Sequence, residues 1–149
     1  MRLEFSGSPE IAAPRDRVWR RLIDPHFVAG SAPGIESLDV IDPTHFRMTS
    51  SVGIGVMRAR LTMDGELSDL VTGTSARMLV RGKGAGSTIE VVSAVAIKDA
   101  GVGRVRLEWT ATTELSGTIT RAGGRLVEGI ARKLTEEFWE DFARRVTEQ

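Results

Sequence analysis

The sequence predicts an α+β fold: a curved antiparallel sheet of about seven strands around one long C-terminal helix, with two short helices after the first strand. Three observations carry this. Apolar and polar residues alternate with a period of two from Ile35 to Leu115. The period changes to 3.6 from about residue 118. Between Pro14 and Gly34 the pattern is helical but is broken twice at proline. A chain of 149 residues suits one domain, 1–149, large enough to bury a real core.

The elements follow in order. "LEFSGSPEIAA", residues 3 to 13, reads as the first strand, stopped by Pro14. "PRDRVWRRLID" carries Val18, Trp19, Leu22 and Ile23 at helical spacing and closes at Asp24-Pro25, because a residue before proline disfavours the helical region. "PHFVAGSAPG" starts a second short helix with Pro25 in its first turn and stops at Pro33-Gly34. These two helices fall where they can plug an end of the sheet, as a lid. "ESLDVID" and "HFRMTSSVG" then form a hairpin. In "VMRARLTMDGEL", Met57, Ala59, Leu61 and Met63 face one way, and Arg58, Arg60 and Thr62 the other. "GRVRLEWTATTEL" puts Val105, Leu107, Trp109, Ala111 and Leu115 on one face. One face dry and one wet is the pattern of an antiparallel meander. From residue 118 a stripe of Ile119, Ala122, Leu126, Ile130, Leu134, Phe138 and Phe142 predicts a helix roughly 40 Å long at 1.5 Å per residue, which needs a surface to lie on. The sheet is that surface.

Composition narrows the function classes. Twenty basic residues balance twenty acidic ones, so no overall field attracts nucleic acid. Cysteine is absent, which removes disulfides, thiolate nucleophiles and cysteine-bound metal together. The N-terminal "MRLEFSGSPEI" lacks an apolar signal core, and no run approaches the length of a membrane span. The expected location is cytoplasmic, with at most peripheral membrane contact. "GKGAGS" resembles a phosphate loop, but a strand follows it where a dinucleotide site needs a helix, so its glycines belong to a hairpin. His26 and His45 lack metal-ligand spacing with each other or with Asp24, Asp39 and Asp42, and are expected to be solvated; no metal is expected. The arginines Arg58, Arg60, Arg77, Arg81, Arg104 and Arg106 form an outer-face stripe interleaved with Glu66, Glu90 and Glu108, expected to be a surface of cross-strand pairs.

Taken together, "FSGSPEIAAPRDRVWRRLIDPHFVAGSAPGIESL", "GKGAGS" and "LEWTATTELSGTITRAGGRLV" resemble the carbon monoxide dehydrogenase G-subunit family, within the START and Bet v 1-like (SRPBCC) helix-grip superfamily. The likeness runs over essentially the whole chain. It implies a helix-grip fold with an apolar cavity between sheet and helix. It also implies service to a carbon monoxide dehydrogenase-type molybdenum enzyme, through assembly, membrane recruitment or quinone supply. This chain departs from the family at Ser31, at Phe138-Trp139, and at Met63 and Gly65, which would reshape the cavity wall. Many members carry a C-terminal apolar anchor; this chain ends at Gln149, so anchoring by that route is not expected.

The expected cavity residues are Phe27 on the lid, Met48, Met57, Ala59, Leu61, Met63, Met78 and Trp109 on the sheet, and Leu126 and Ile130 on the helix. The methionines are either ordinary core or a deformable wall around an apolar ligand. Gly123, Gly124 and Gly129 in the helix either admit the sheet closely or leave volume open. The inward positions carry Met, Leu, Val, Ala, Ser and Trp, while Glu90, Glu108 and Glu114 fall on the wet face, so no catalytic residue and no cofactor is expected. The function expected is non-catalytic binding of an apolar small molecule, lipid- or quinone-like. The rivals are a cyclase or hydrolase-like enzyme on the same fold, and an interaction module with a filled core.

Overall fold

The computed structural model, which describes residues 1–148, contains one antiparallel sheet of eight strands. They are β1 (Arg2–Gly7), β2 (Glu10–Ile11), β3 (Ile35–Asp42), β4 (His45–Ile54), β5 (Met57–Val71), β6 (Ser75–Gly84), β7 (Ser87–Asp99) and β8 (Val105–Gly117). The order is β1-β8-β7-β6-β5-β4-β3, with β2 also on β8. The helices are α1 (Arg15–Leu22), α2 (Pro25–Ser31), the 3₁₀ turn η1 (Thr118–Ala122) and α3 (Gly124–Thr147).

The expected architecture holds, with three corrections. The first strand is interrupted at Ser8-Pro9, where the Pro9 carbonyl accepts from the Leu107 N–H at 2.9 Å but proline has no N–H to return. This makes β2 the eighth strand. The long helix begins at Gly124, because Gly117 (φ +89°) and Gly123 (φ +100°) isolate η1 from it. The third correction follows from the second. A stripe extended from Ile119 through that break loses its phase, so Leu126 points outward, 44% exposed, and Val127 is the buried residue of the first turn. From Phe138 onward the stripe is right again: Phe142 and Val146 have no exposed surface.

The short helices stop where the sequence expects, for local reasons. The Pro14 carbonyl accepts from Arg17 and Val18, opening α1, with Asp16 in its first turn and Arg20 and Arg21 in its last, as the helix dipole favours. Asp24 caps α2 by accepting from the His26 N–H at 3.0 Å, and Pro25 takes the first position, which needs no N–H. Val18, Trp19 and Leu22 of α1 and Phe27 of α2 enter the main core.

The inner sheet face, the one toward α3, obeys a pairing rule visible in the register. Trp109 pairs with Gly7, Phe46 with Gly65, and Met63 with Gly82. A Cβ on Gly7, Gly65 or Gly82 would come within 2.8, 2.1 or 2.6 Å of its partner's side chain. Each glycine is the space into which a large neighbour folds flat against the sheet.

Candidate functional site

The inner face carries two clusters of buried apolar residues, with half-buried Ile89 packed against both. The main one joins the helices to β1, β8 and the outer ends of β4, β6 and β7, through Trp109, Phe142, Val127, Ile54, Val95 and Ile97 among others. The second is Leu61, Met63 and Val80, edged by Met48, Met78, Ile89 and Val91. It lies at the centre of the sheet, across the line Met48–Met63–Gly82–Ile89 that the register defines. Were α3 pressed onto the sheet along its whole length, these clusters would be one. The helix instead makes its main approaches at β2 and β4.

Over the second cluster α3 leaves a strip of the inner face partly uncovered, a hollow open to solvent. Met48, Met57, Met78, Ile89, Val91, Ser93 and Ala111 occupy inner positions yet are only half-buried, as are Ile130, Ala131 and Leu134 on α3. Leu61 and Met63 stay buried beneath the methionines. Methionine is unbranched and polarisable, so a wall of this kind can re-pack around different apolar shapes. Gly129 does not contribute: it is exposed on the solvent side of α3, where a Cβ would meet nothing within 4 Å.

One wall is aromatic. Trp109 stacks on Trp139 of α3 with ring centroids 5.4 Å apart and planes 18° apart, and Trp139 meets Phe138 and Phe142 edge-on at 5.0 and 5.7 Å. Trp109 is buried, and its indole N–H has no acceptor among the described residues. An unmade buried donor costs about 1–3 kcal/mol.

Of the expected cavity residues, Met48, Met57, Ala59, Leu61, Met63, Met78 and Trp109 all occupy the inner face, and Ile130 is half-buried on α3. Leu126 is not a wall residue, for the reason of phase given above. Phe27 is not at a mouth. It packs edge-on against Phe142 at 5.6 Å, with the Arg145 guanidinium 4.0 Å from its ring centroid. Arg145 donates to the Phe27 carbonyl (2.7 Å) and to the buried Ser31 hydroxyl (2.6 Å), and Gly30 leaves room for it. Asp141 accepts from Arg144 beside this clasp; it is half-buried, yet the hydrogen bonds from Arg144 and Ser31 outweigh the cost of burial and hold its carboxyl below the ordinary value. The two short helices are thus bolted to the end of α3, and α2 is a plug rather than a loose lid.

Sequence reasoning missed Val80, Ile89, Val91, Ser93, Ala111 and Trp139 as wall residues. The strand alternation contained the signal for all but the last, once Trp109 sets the inner phase of β8 and the antiparallel register carries it to β7 and β6.

The one ionisable side chain at an inner position of β4 to β8, among the described residues, is Asp99 at the far end of β7, where it pairs with Arg15 of α1 at 2.8 Å, away from the hollow. Among the described residues no group of three or more His, Cys, Asp or Glu could hold a metal ion. Two depressions of about 490 and 510 Å³ lie elsewhere, one on the outer sheet face over Ala94 and Ala96 beside Arg77 and Glu108, the other between the end of α2 and Glu137, Glu140 and Asp141. Five of the six outer-face arginines are ion-paired, though not all across adjacent strands as expected: Arg77–Asp69 at 3.7 Å and Arg81–Glu90 at 3.1 Å are, while Arg60–Glu36 at 2.9 Å spans two strands, Arg104–Glu10 at 3.6 Å leaves from a loop and Arg106–Glu108 at 3.1 Å stays within β8. Arg58 alone of the six has no carboxylate among the described residues, only the Ser51 hydroxyl at 3.0 Å. The "GKGAGS" glycines make a hairpin, with positive φ at Ala85 and Gly86 between β6 and β7. Among the described residues no helix is long and apolar enough to cross a membrane.

The fold is shared with solved structures at low sequence identity. A conserved protein from Geobacillus kaustophilus superposes with a TM-score of 0.88 at 21% identity, covering 98% of this chain and 96% of that one. A START superfamily protein from Mycobacterium smegmatis gives 0.74 at 15%, covering 97% of each. The Zhui aromatase/cyclase from Streptomyces sp. R1128 gives 0.72 at 12%, covering 98% and 94%. No curated protein matches the chain in sequence. The family model for the carbon monoxide dehydrogenase G-subunit (CoxG) matches residues 7–147, from the glycine under Trp109 to the last turn of α3. On that match, carried on a START/Bet v 1-like helix-grip fold, the chain belongs to the carbon monoxide dehydrogenase G-subunit (CoxG) family.

Proposed function

We propose that the protein binds an apolar small molecule, lipid- or quinone-like, in the hollow between sheet and α3, without chemically converting it. The observation that carries this reading is that the buried Leu61–Met63–Val80 cluster does not merge with the main core: half-buried Ile89 packs against both, and Met48 and Met78 edge the second cluster half-buried. An interaction module with a filled core would join the two clusters. An enzyme would need a convergent acid, base or nucleophile, and the positions around the hollow supply thioether, alkyl, hydroxyl and indole groups instead. The cyclase with the same fold is too distant in sequence to bring its chemistry with it.

The energetics suit such a ligand. Each methylene moved from water onto an apolar wall contributes about 0.8 kcal/mol. Micromolar affinity requires about 8 kcal/mol, so about ten buried methylene equivalents reach it before ordering costs are subtracted. Family membership supplies the context we favour: the ligand serves a carbon monoxide dehydrogenase-type molybdenum enzyme, in its assembly, its recruitment to the membrane or its supply of quinone. Native mass spectrometry of the purified protein tests the ligand reading. A bound species of lipid or quinone mass, released by organic extraction, is the expected result; protein that remains unliganded after incubation with quinones, fatty acids and isoprenoids sides with the filled module.

A further inference from the structure

Sulfur occurs in this chain only as thioether, and the thioethers are not scattered. Cysteine is absent, so no thiolate stands ready to intercept an oxidant. Met1 apart, every methionine lies on the inner sheet face: Met48 on β4, Met57 and Met63 on β5, and Met78 on β6. Met63 is buried and seated over Gly82, where a Cβ would come within 2.6 Å of the Met63 Cγ. Met48 lies directly opposite Met63 across the β4–β5 ladder, and Met78 packs on the same Leu61–Met63–Val80 cluster from β6. Both are half-buried at the hollow. A water-sized oxidant that enters the hollow therefore meets Met48 and Met78 before Met63.

Their neighbours decide what oxidation does. Hydrogen peroxide transfers one oxygen to a thioether: the S–O bond forms, the O–O bond breaks and water leaves, giving a polar sulfoxide. Across the strands Met48 faces Leu38 and Met63, which offer no side-chain donor. Met78 faces Leu67 and Ser93, and the Ser93 hydroxyl is the single side-chain donor opposite either sulfur. A sulfoxide oxygen at Met48 is satisfied only by water drawn into the hollow, and an apolar ligand loses its wall there. We propose that Met48 and Met78 are oxidation sites, and that hydrogen peroxide turns the hollow from holding an apolar ligand to releasing it. The release rests on the ligand reading above; the two sites do not. Two thiols of a reductant return each sulfoxide to thioether, becoming a disulfide while the oxygen leaves as water, so the change is reversible.

Treatment of the full chain with hydrogen peroxide tests both parts, read by peptide mass mapping and by tryptophan quenching with decylubiquinone. Met48 and Met78 should gain oxygen at least about fivefold faster than Met63. Saturating decylubiquinone should slow both while leaving exposed Met1 unaffected. The oxidised protein, still folded by circular dichroism, should bind decylubiquinone at least about tenfold more weakly. Methionine sulfoxide reductases with dithiothreitol should restore the binding. In Met48→Leu/Met78→Leu protein, where Met1 and Met57 still oxidise, peroxide should change the affinity less than about twofold from that variant's own untreated value. Met63 reacting as fast as Met48 and Met78 overturns the sites, since the whole face would then be opening. Binding loss that persists in the double variant overturns the release, as does unchanged affinity in protein oxidised at both positions. Failure of the untreated protein to bind decylubiquinone sinks the ligand reading and the release with it, while the order of oxidation still tests the sites.

Discussion

Trp109 of β8 and Trp139 of α3 stack with ring centroids 5.4 Å apart, and the face of the sheet beneath Trp109 is closed by a glycine, Gly7. This is the joint at which the sheet grips the helix, and it borders the hollow. Trp139→Ala should lower stability by about 2–4 kcal/mol, because the half-buried ring cannot be replaced by collapse of the stack, while Trp139→Phe should cost much less. Gly7→Ala should also destabilise, by about 1–3 kcal/mol, since its Cβ would meet the Trp109 ring at 2.8 Å. Urea melts of the three variants measure both effects; a neutral Gly7→Ala would place the indole elsewhere.

Leu126 and Val127 are neighbours with opposite fates. Leu126→Asp should melt within about 0.5 kcal/mol of the wild type, as exposed substitutions do. Val127→Asp places a carboxylate in the core and should cost several kcal/mol, comparable with the stability of the domain. The reverse order in thermal denaturation would mean that α3 starts in a different phase.

The Arg145 clasp fixes α2. Arg145→Ala removes two hydrogen bonds from a charged donor, each worth about 1.5–3 kcal/mol, along with the cation over Phe27. Hydrogen exchange should rise in residues 25–31 and stay unchanged in β5 and β6. Uniform loss of protection would show that α2 does not open separately.

The β3–β4 hairpin carries a pH-sensitive pair. The His45 imidazole lies 2.9 Å from Asp42, and this hydrogen bond holds its pKa above the ordinary 6.5; the same bond, then the Thr44 N–H, lowers Asp42 to about 2. The raised His45 contributes stability that is complete below its unfolded value and is lost as the pH rises through the folded one. The lowered Asp42 contributes above 3.8 and is lost as the pH falls toward about 2. The pair therefore contributes most between the two unfolded values, 3.8 and 6.5. An NMR titration should find His45 titrating above 6.5 and falling in Asp42→Asn; no change in that variant would show that the carboxylate is not its partner.

Filling the hollow should not strain it. Ser93 is half-buried on the inner face opposite Met78 and Ala111. In a closed core Ser93→Leu would overpack and cost about 1–3 kcal/mol. In an open one it should hold or raise the melting temperature while weakening the binding of any apolar ligand.

The fold was legible because its two periods are clean: alternation through Trp109 and Leu115, and a 3.6 repeat through Phe138 and Phe142. The chain breaks were legible at Asp24-Pro25 and Pro33-Gly34, but the one at Ser8-Pro9 was not, because the alternation runs on across it. The start of the long helix failed at a glycine. Gly123 can continue a helix or end it, and only its φ of +100° decides, so the phase at Leu126 was lost. Phe27 was misplaced for a different reason. Its apolar character announces burial but not the partner, and the partner, Arg145, lies 118 positions away and reads in sequence as a surface charge. The hollow itself has no sequence signature. The same Met48, Met63 and Met78 would line a cavity or fill a core, and the distance between α3 and the central strands decides which.

The most direct measurement of that distance in functional terms is an equilibrium titration of the Trp19→Phe/Trp139→Phe protein, in which Trp109 is the sole tryptophan, with decylubiquinone. Quenching of Trp109 should saturate at micromolar ligand, be reversed by oleate, and weaken in a Val91→Phe background that narrows the hollow. Quenching that stays linear in ligand, or that saturates identically with Val91→Phe, would mean that no ligand sits between the sheet and the helix.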